Sequence, residues 1–438
     1  MLQSSKKTTH PVYLSRAGWN SLLPERTVSK HPLTARRVKS LVIGGGYTGL
    51  AAARRLAELE PDSEVVVLEA SEIGEGAAGR NSGFLNRLPN RPIANEHGDV
   101  AETARRQMRL YSAGTAWLSE LVQKHSISCD WDDVSPRISA AATDEGVTAL
   151  QATAKRYLSW GLTCETLSQG DLQARLGTNY YKFGFSTPYN TFVQPAALIR
   201  GLADSLPANV HLIENLPALN IREGKTYKVN TSIGEFECDR LILANNSFAK
   251  RLGVLSSRLI TIFTYAGLTE PLDDSEFSLL GNEPSWGVIP AHRLGSTLRK
   301  VRGGRFMVRS AYSYERELPA EHASSMLSEL YKNRYAHLRS HKFETVWGGC
   351  TALTRNGAPF FGRVRPGLYA SVGCNGSGVL RGSIQGRLLA EMACGQDSDL
   401  LSDQLKLAGP TWIPPEPIRK IGVLSVIAME QRKAGLER

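Results

Sequence analysis

Residues 40–70 read SLVIGGGYTGLAAARRLAELEPDSEVVVLEA and set out every part of a dinucleotide-binding βαβ unit in one run. Leu41, Val42 and Ile43 make the apolar segment expected of a strand buried on both faces, ending at Gly44. Gly44, Gly46 and Gly49 fill the places of G-x-G-x-x-G: a tight turn, a backbone open to a pyrophosphate, and close packing of helix on strand. The helix predicted from Tyr47 and Thr48 points unpaired N–H groups and its positive dipole end at the same spot. Leu50, Ala53, Leu56 and Ala57 give that helix an apolar stripe, and Pro61-Asp62 ends it. Val65 to Leu68 form the second strand. Glu69 follows, with Ala70 beside it, where an acid accepts the ribose hydroxyls of an adenosine half. The unit alone leaves open which dinucleotide is bound.

Directly after it, Ile73 to Gly83 form a second glycine-rich loop, IGEGAAGRNSG, that an ordinary nicotinamide-binding domain does not need. Small residues at Gly76, Ala77 and Gly83 let backbone pass close to a large flat ligand, and Arg80 is placed to neutralise a phosphate. Upstream, residues 1–38 carry Pro11, Pro24 and Pro32 without periodicity and read as an extended arm on the body. Val12, Tyr13, Leu14, Trp19, Leu22 and Leu23 make that arm too apolar to hang free.

Farther along, helices are expected over residues 97–125, 145–160 and 194–206, and short strands over 210–213, 227–229 and 236–238. A further buried strand, Arg240 to Leu243, leads into the small-residue turn Ala244-Asn245-Asn246 and is expected to join the parallel sheet begun at residue 40. Between 255 and 345, aromatic and β-branched stretches followed by a helix near 320–338 read as an antiparallel sheet covering a cofactor. Strand, glycine turn and helix then recur at Leu368 to Cys394, bringing a second helix N-terminus toward the cofactor. The implied class is α/β: a Rossmann-type cofactor domain (39–90, 190–254 and 345–400) and an α+β substrate domain on an antiparallel sheet (91–189 and 255–344), with a C-terminal extension over 401–438.

Composition sets bounds. With 438 residues, 42% of them hydrophobic, the chain is long enough for two full cores. Its six cysteines are scattered without C-x-x-C or Cys/His ligand spacing, and its nine histidines form no H-E-x-x-H, so neither a disulfide framework nor a metal site is expected. The first ten residues are polar and basic, unlike a secretory signal, and no apolar run spans a bilayer, so a soluble, cytoplasmic protein is expected. Ile421 to Met429 reads as a packed or interfacial helix. The net charge of +10 is spread along the chain without interleaved aromatics, and a nucleic-acid partner is not expected.

In this order the landmarks from about 39 to 395 resemble the D-amino acid oxidase superfamily of FAD enzymes. Four motifs carry the resemblance. The first is the glycine fingerprint ending in Glu69, and the second is Gly74 to Gly83, with Gly76, Arg80, Asn81, Ser82 and Gly83 in place and Ala78 where the family usually has serine. The third is Gln194 to Leu198 with the turn at Ala244 and Asn245. The fourth is Gly373 to Val379, including Asn375, Gly376, Ser377 and Gly378. G-R-N-x-G, Trp347-Gly348-Gly349 and Pro414 to Arg419 resemble most the γ-glutamylputrescine oxidoreductase group, with the glycine oxidase-like enzymes nearby.

The resemblance implies FAD and removal of a hydride from the carbon next to an amine nitrogen. The resulting imine is hydrolysed, and O2 or another acceptor takes the electrons, O2 giving H2O2. It also implies that the backbone N–H groups of Gly376, Ser377 and Gly378 stabilise charge at the flavin N1/O2 edge. Family members that oxidise amino acids have a carboxylate-binding arginine shortly after the tryptophan of W-x-G, where this chain has Thr351; a primary or secondary amine is therefore the expected substrate. Arg309 is a candidate for an acidic group elsewhere on it. Tyr265, Trp286, Phe306 and Tyr312 are candidates for the cavity wall. Cys350 matches the place where the sarcosine oxidase branch tethers its flavin, or else packs as a small hydrophobe. The lysine that such oxidases use for O2 is replaced near Met307. A flavoprotein acting on a modified base in RNA, and a D-amino acid or glycine-type oxidase, are the alternatives.

Overall fold

The βαβ unit forms as its sequence dictates. In a computed structural model, which describes residues 8–26, 36–89, 92–93, 98–338 and 341–438, strand Arg37–Ile43 leads through helix Tyr47–Leu59 to strand Val65–Leu68. Leu41, Val42, Val66 and Val67 have no exposed surface, since helices cover one side of the sheet and the 220–243 hairpins the other. Each such side chain contributes roughly 1.5–3 kcal/mol.

The sheet runs Phe360–Arg365, Leu368–Val372, Gly234–Leu243, Arg37–Ile43, Val65–Leu68, Val210–Ile213, parallel except at the first pair. Strands Tyr227–Thr231 and Asn220–Glu223 extend it antiparallel from the start of Gly234–Leu243. The expected strands at 236–238 and 240–243 are therefore one strand of ten residues: the alternation of Phe236, Cys238 and Arg240 runs through without a break.

A second sheet orders Phe343–Leu353, Ile260–Thr269, Arg305–Tyr314, Thr297–Val301, Trp286–Pro290, Arg137–Ala141, Phe183–Thr187, Glu165–Leu167. It is antiparallel except where Trp286–Pro290 meets Arg137–Ala141. Trp347 to Cys350, expected in the cofactor domain, lie on its edge strand, because that segment pairs residue for residue with Ile260–Thr269. The first 345–353 of the expected cofactor-domain range thus belong to the second sheet. Between the two sheets lies a small ribbon, Phe84–Asn86 paired with Asn190–Phe192.

Two helices start beside each other at the first sheet's open end: Tyr47–Leu59 and Gly378–Ala393. They cross closely because a Cβ on Gly386 would stand 2.1 Å from the Thr48 carbonyl oxygen, and one on Gly382 would stand 2.8 Å from Thr48 Oγ1. The helix expected at 97–125 runs Val100–Lys124, its first expected residue lying outside the described ones. Helix Ile418–Ala434 is anchored by Glu430, whose carboxylate accepts from Arg293 Nε at 2.8 Å, but Ile418, Ile421, Leu424, Val426 and Met429 stay exposed. Among the described residues no helix is long and apolar enough to cross a membrane, and no His/Cys/Asp/Glu cluster is arranged to hold a metal.

The arm docks through Tyr13, Trp19 and Leu23, whereas Val12, Leu14 and Leu22, also expected to be covered, stay exposed. Trp19 is buried against Trp347, Met307 and Ala196, and its Nε1 donates to the Asn81 carbonyl at 2.8 Å. Leu14 N donates to Glu317, Ala17 N and Asn20 Nδ2 donate to Glu75, and Arg26 pairs with Asp204 and Glu214. The arm thus stitches both halves of the protein together. Residues 1–7 and 27–35 of it lie outside the described residues.

Candidate active site

The groove at the end of the first sheet has the shape a pyrophosphate needs. Gly44 has φ +106°, and a Cβ there would stand 2.9 Å from the Ala244 carbonyl oxygen; one on Gly49 would stand 1.8 Å from the Gly44 oxygen. At Gly46 a Cβ would meet only Ala78, at 3.8 Å, so the backbone is open on that side. No side chain caps the helix that follows, leaving the first-turn N–H groups of Tyr47 and Thr48 facing the groove. Their side chains do other work: Tyr47 Oη donates to the Pro195 carbonyl, and Thr48 packs on Gly382.

Glu69 is braced across this turn. One carboxylate oxygen accepts from Gly45 N at 2.7 Å, the other from Ser71 N and Oγ at 3.0 and 3.1 Å, and Ala70 lies between. Burial raises its pKa, and those donors oppose the rise.

Gly76 is open, with nothing within 4 Å of a Cβ, and Ala77 begins a single helical turn whose Gly79 presses on the Gly74 carbonyl. Asn81 closes the loop on itself, donating to Ala78 O and accepting from Gly83 N. The Ser82 carbonyl accepts from Arg299. Arg80 departs from the expected phosphate partner. Its guanidinium donates to the carbonyls of Glu75, Gly348 and Ser15, pairs with the Glu75 carboxylate at 3.2 Å and lies 3.7 Å over the Tyr13 ring. A short helical turn aims the side chain away from the groove and into the joint between arm and second sheet.

The third wall comes from the turn after Gly234–Leu243 and the loop before Gly378–Ala393. Asn245 Oδ1 is buried without a partner. Asn246 Oδ1 accepts from Gly373 N and Cys374 N. Asn375, at φ +51°, accepts from Thr354 N and donates to Gly373 O, tying the loop to the second sheet. Ser377 N donates to the Cys374 carbonyl at 3.1 Å, so this N–H, expected at the flavin, instead closes a turn. The N–H groups of Gly376 and Gly378 have no acceptor among the described residues, and Val379 packs into the core beneath them. Sequence reasoning missed Arg381, which donates to the Cys374 carbonyl at 2.8 Å and to Tyr111 Oη at 2.8 and 3.0 Å. Its position one helical turn past the glycine loop was the available signal.

An orphaned buried amide oxygen at Asn245, open backbone at Gly46, Gly76 and Gly376, where a Cβ would meet nothing closer than 3.8 Å, and two uncapped helix starts around one groove fit FAD.

The inner face of the second sheet lies against these loops. Thr351 Oγ1 is 3.4 Å from Cys374 Sγ, Gly349 is in contact distance of Arg80, and Arg299 reaches Ser82 and Val193. Register puts Met307 and Arg309 on this face too, with Arg309 Nη1 donating to Tyr312 Oη at 3.1 Å. Phe306 and Trp286 are corrections: both are fully buried on the opposite face, where Phe306 packs on Tyr331 and Tyr335 and Trp286 Nε1 donates to Leu280 O. Alternation along a strand makes neighbours face opposite ways, so Phe306 and Met307 cannot share a wall. Tyr265 is on the Phe306 side as well, its hydroxyl 2.5 Å from Ser313 Oγ and accepting from Leu318 N. The same parity turns Cys350 away from Thr351. Its Sγ sits 3.2 Å from Tyr13 Oη, and burial pushes the thiol up to about 11, which keeps it protonated at neutral pH. This geometry speaks against a tether through Cys350.

Residues 39–392 match the family described as FAD dependent oxidoreductase (DAO). The chain belongs to that family. FAD is accordingly the cofactor, and the chemistry is oxidoreduction. The chain is 28% identical over 412 residues to "Probable oxidoreductase OrdL" of Rhizobium meliloti (strain 1021), covering 91% of this chain and 92% of that protein. It is also 28% identical over 360 residues to the gamma-glutamylputrescine oxidoreductase of Escherichia coli (strain K12), covering 81% and 83%. Among solved structures, glycine oxidase from Geobacillus kaustophilus superposes with a TM-score of 0.71 at 18% identity, over 83% of this chain and 96% of that one. That likeness fixes the fold and bears out the mixed α/β architecture with a cofactor sheet and a covering sheet.

Proposed function

We propose that this DAO-family protein oxidises the C–N bond of a primary or secondary amine to an imine that hydrolyses in water, with O2 as the electron acceptor and H2O2 as its product. The bound flavin supplies a two-electron acceptor next to the substrate carbon. The chain supplies position and electrostatics. Gly376 and Gly378 offer two free N–H groups at the start of a helix, where negative charge is stabilised without reorganisation. Arg381 holds that loop in place.

The observation that carries the reading is the wall beside the 373–378 loop. Thr351 brings a hydroxyl there and Gly349 brings nothing, while Arg80, beside Gly349, is sealed by Glu75 and three carbonyls, and Arg381 is spent on the Cys374 carbonyl and Tyr111. An α-carboxylate next to the reacting carbon would lie there without a guanidinium partner. Similarity to gamma-glutamylputrescine oxidoreductase supports an amine of the γ-glutamyl or amino-acid-derived kind.

The test is anaerobic mixing of the FAD-loaded protein with γ-glutamylputrescine, simple primary and secondary amines, and glycine and D-alanine, following loss of the visible flavin absorbance. Bleaching by the amines, then peroxide on admitting air, is expected. Faster bleaching by the α-amino acids would overturn the reading.

A further inference from the structure

Helix Ile418–Ala434 rests on the body by one narrow stripe. Val423, Ile427, Glu430 and Ala434, spaced four, three and four residues apart, are half-buried or buried, and Ala434 alone of the helix is fully covered. The opposite stripe, Ile418, Ile421, Ser425, Met429 and Arg432, faces solvent, with Leu424 and Val426 exposed on either side of it. Ile418, Ile421, Leu424, Val426 and Met429 are 44–65% exposed, and no charge interrupts the run from Ile421 to Met429. Scattered apolar side chains are ordinary on a protein surface. A continuous row of five along about 25 Å of helix is not, and it marks an interaction surface. More than half of the helix circumference stands clear of the body, so that surface is a convex ridge rather than a groove.

Charge around the ridge is one-sided. The acids of the 410–438 segment are turned to the body: Glu416 accepts from Tyr314 Oη, Glu430 from Arg293 Nε, and Glu437 from Ala142 N and Thr143 N at 2.9 and 3.0 Å. Its cations are turned out. Lys420, Arg432 and Lys433 are exposed at the two ends of the apolar run. Among the described residues Lys420 and Arg432 pair with no acid, and Lys433 comes only within 3.9 Å of Glu430. Trp412, 53% exposed, stands in the lead-in to the helix, where an amphipathic ring suits the level of lipid headgroups.

A second copy of the chain fits the ridge poorly. Helix-on-helix pairing would cover a strip about 25 Å by 10 Å on each copy, well short of the roughly 1,200 Å² that a stable interface buries in total. An antiparallel pair would set Lys420 of one copy against Arg432 and Lys433 of the other, and a parallel pair would set each against its own kind. A lipid surface meets neither obstacle. A convex apolar ridge sinks between headgroups, and anionic headgroups answer the cations at its ends.

We propose that the ridge of helix Ile418–Ala434 docks the folded protein on the surface of a bilayer containing anionic lipid. Ile418, Ile421, Leu424, Val426 and Met429 enter the boundary between headgroups and acyl chains, and Lys420, Arg432 and Lys433 meet lipid phosphates. The helix packs against strand Arg305–Tyr314 and the Arg293 loop, so docking turns the end of the second sheet, not the cofactor sheet, toward the membrane. The proposal stands independently of the amine-oxidising function.

The test is co-sedimentation of the FAD-loaded protein with vesicles of phosphatidylcholine, with and without phosphatidylglycerol, at low salt. Each cation near an anionic surface contributes about fivefold, so the wild type is expected to bind the mixed vesicles at least tenfold more tightly. The preference should shrink at about 1 M salt, where the screening length is about 3 Å. The double variant Ile421→Glu/Met429→Glu, at two exposed positions, is expected to keep its flavin absorbance and Tm and to lose at least tenfold in vesicle binding. Lys420→Ala/Arg432→Ala/Lys433→Ala is expected to lose the preference for phosphatidylglycerol. Hydrogen exchange of the wild type, which needs no variant, is expected to slow over 412–434 when mixed vesicles are added. No binding of the wild type to mixed vesicles, equal binding by the double glutamate variant, or slowed exchange elsewhere but not over 412–434 would each overturn the proposal. A wild-type dimer in light scattering that Ile421→Glu/Met429→Glu dissolves would give the ridge to a second copy instead and overturn it too.

Discussion

Glu75 is where the arm, the flavin loop and the second sheet are fastened to one another, and replacing it by alanine tests that fastening. Its carboxylate accepts from Asn20 Nδ2 at 2.6 Å, Ala17 N at 2.9 Å and Arg80 Nη2 at 3.2 Å, and it is the acid paired with the buried Arg80. Removing one partner of a buried ion pair costs about 3–5 kcal/mol. Glu75 retains 15% exposure of its side chain, which places the loss near the lower end, about 3 kcal/mol. At about 2.1 cal/mol/K of unfolding entropy per residue, 438 residues unfolding as one unit give about 0.9 kcal/mol/K, so Glu75→Ala is expected to lower Tm by about 3 °C. The loop Ile73 to Gly83 loosens with it, so FAD retention through gel filtration should fall too. Burial acts to raise the Glu75 pKa, but the bonds from Asn20 and Ala17 and the Arg80 charge outweigh it and hold it below the usual carboxylate value. A depressed folded pKa means stability that is present above the unfolded value and lost as pH falls through the folded one. The gap in Tm between wild type and Glu75→Gln should therefore be full at neutral pH and close under acid. A Glu75→Ala protein melting within about 1 °C of wild type, with FAD retained and the arm no more sensitive to protease, would refute the reasoning.

Gly49→Ala puts a Cβ 1.8 Å from the Gly44 oxygen and should force helix from strand at a cost of about 1–3 kcal/mol, read as a fall in FAD stoichiometry of the purified protein. Acid precipitation should leave all flavin in the supernatant, and Cys350→Ser should leave FAD content unchanged; flavin retained in the wild-type pellet but not in the variant's would restore the tether. Arg381→Met removes charge-assisted bonds each contributing about 1.5–3 kcal/mol to the flavin-loop anchor and should weaken FAD binding by at least tenfold in a fluorescence titration of the apoprotein.

What was legible in the sequence was local. Gly44, Gly46, Gly49 and Glu69 lie within one supersecondary unit, where spacing alone fixes turn, helix start and strand end, and all stand around one groove. The same holds for the 373–379 turn, apart from the Ser377 N–H, which a single turn hydrogen bond redirects. Long-range pairing decided the rest. Strand parity put Met307 and Arg309 toward the cofactor loops and Phe306 behind them, and only the register with Ile260–Thr269 and Thr297–Val301 reveals which parity faces inward. Edge pairing moved Trp347 to Cys350 into the second sheet. Arg80 reads as a phosphate ligand from its loop and becomes a joint because Ser15 and Gly348, from distant parts of the chain, meet its guanidinium beside Glu75 of its own loop. Ile421 to Met429 reads as a packed or interfacial helix, and its packing on the body, with Glu430 held by Arg293, decides which stripe is left outside. Sequence spacing determines contacts that a few residues make with their neighbours, whereas the face a side chain presents and the partners it meets are set by strands tens or hundreds of residues away.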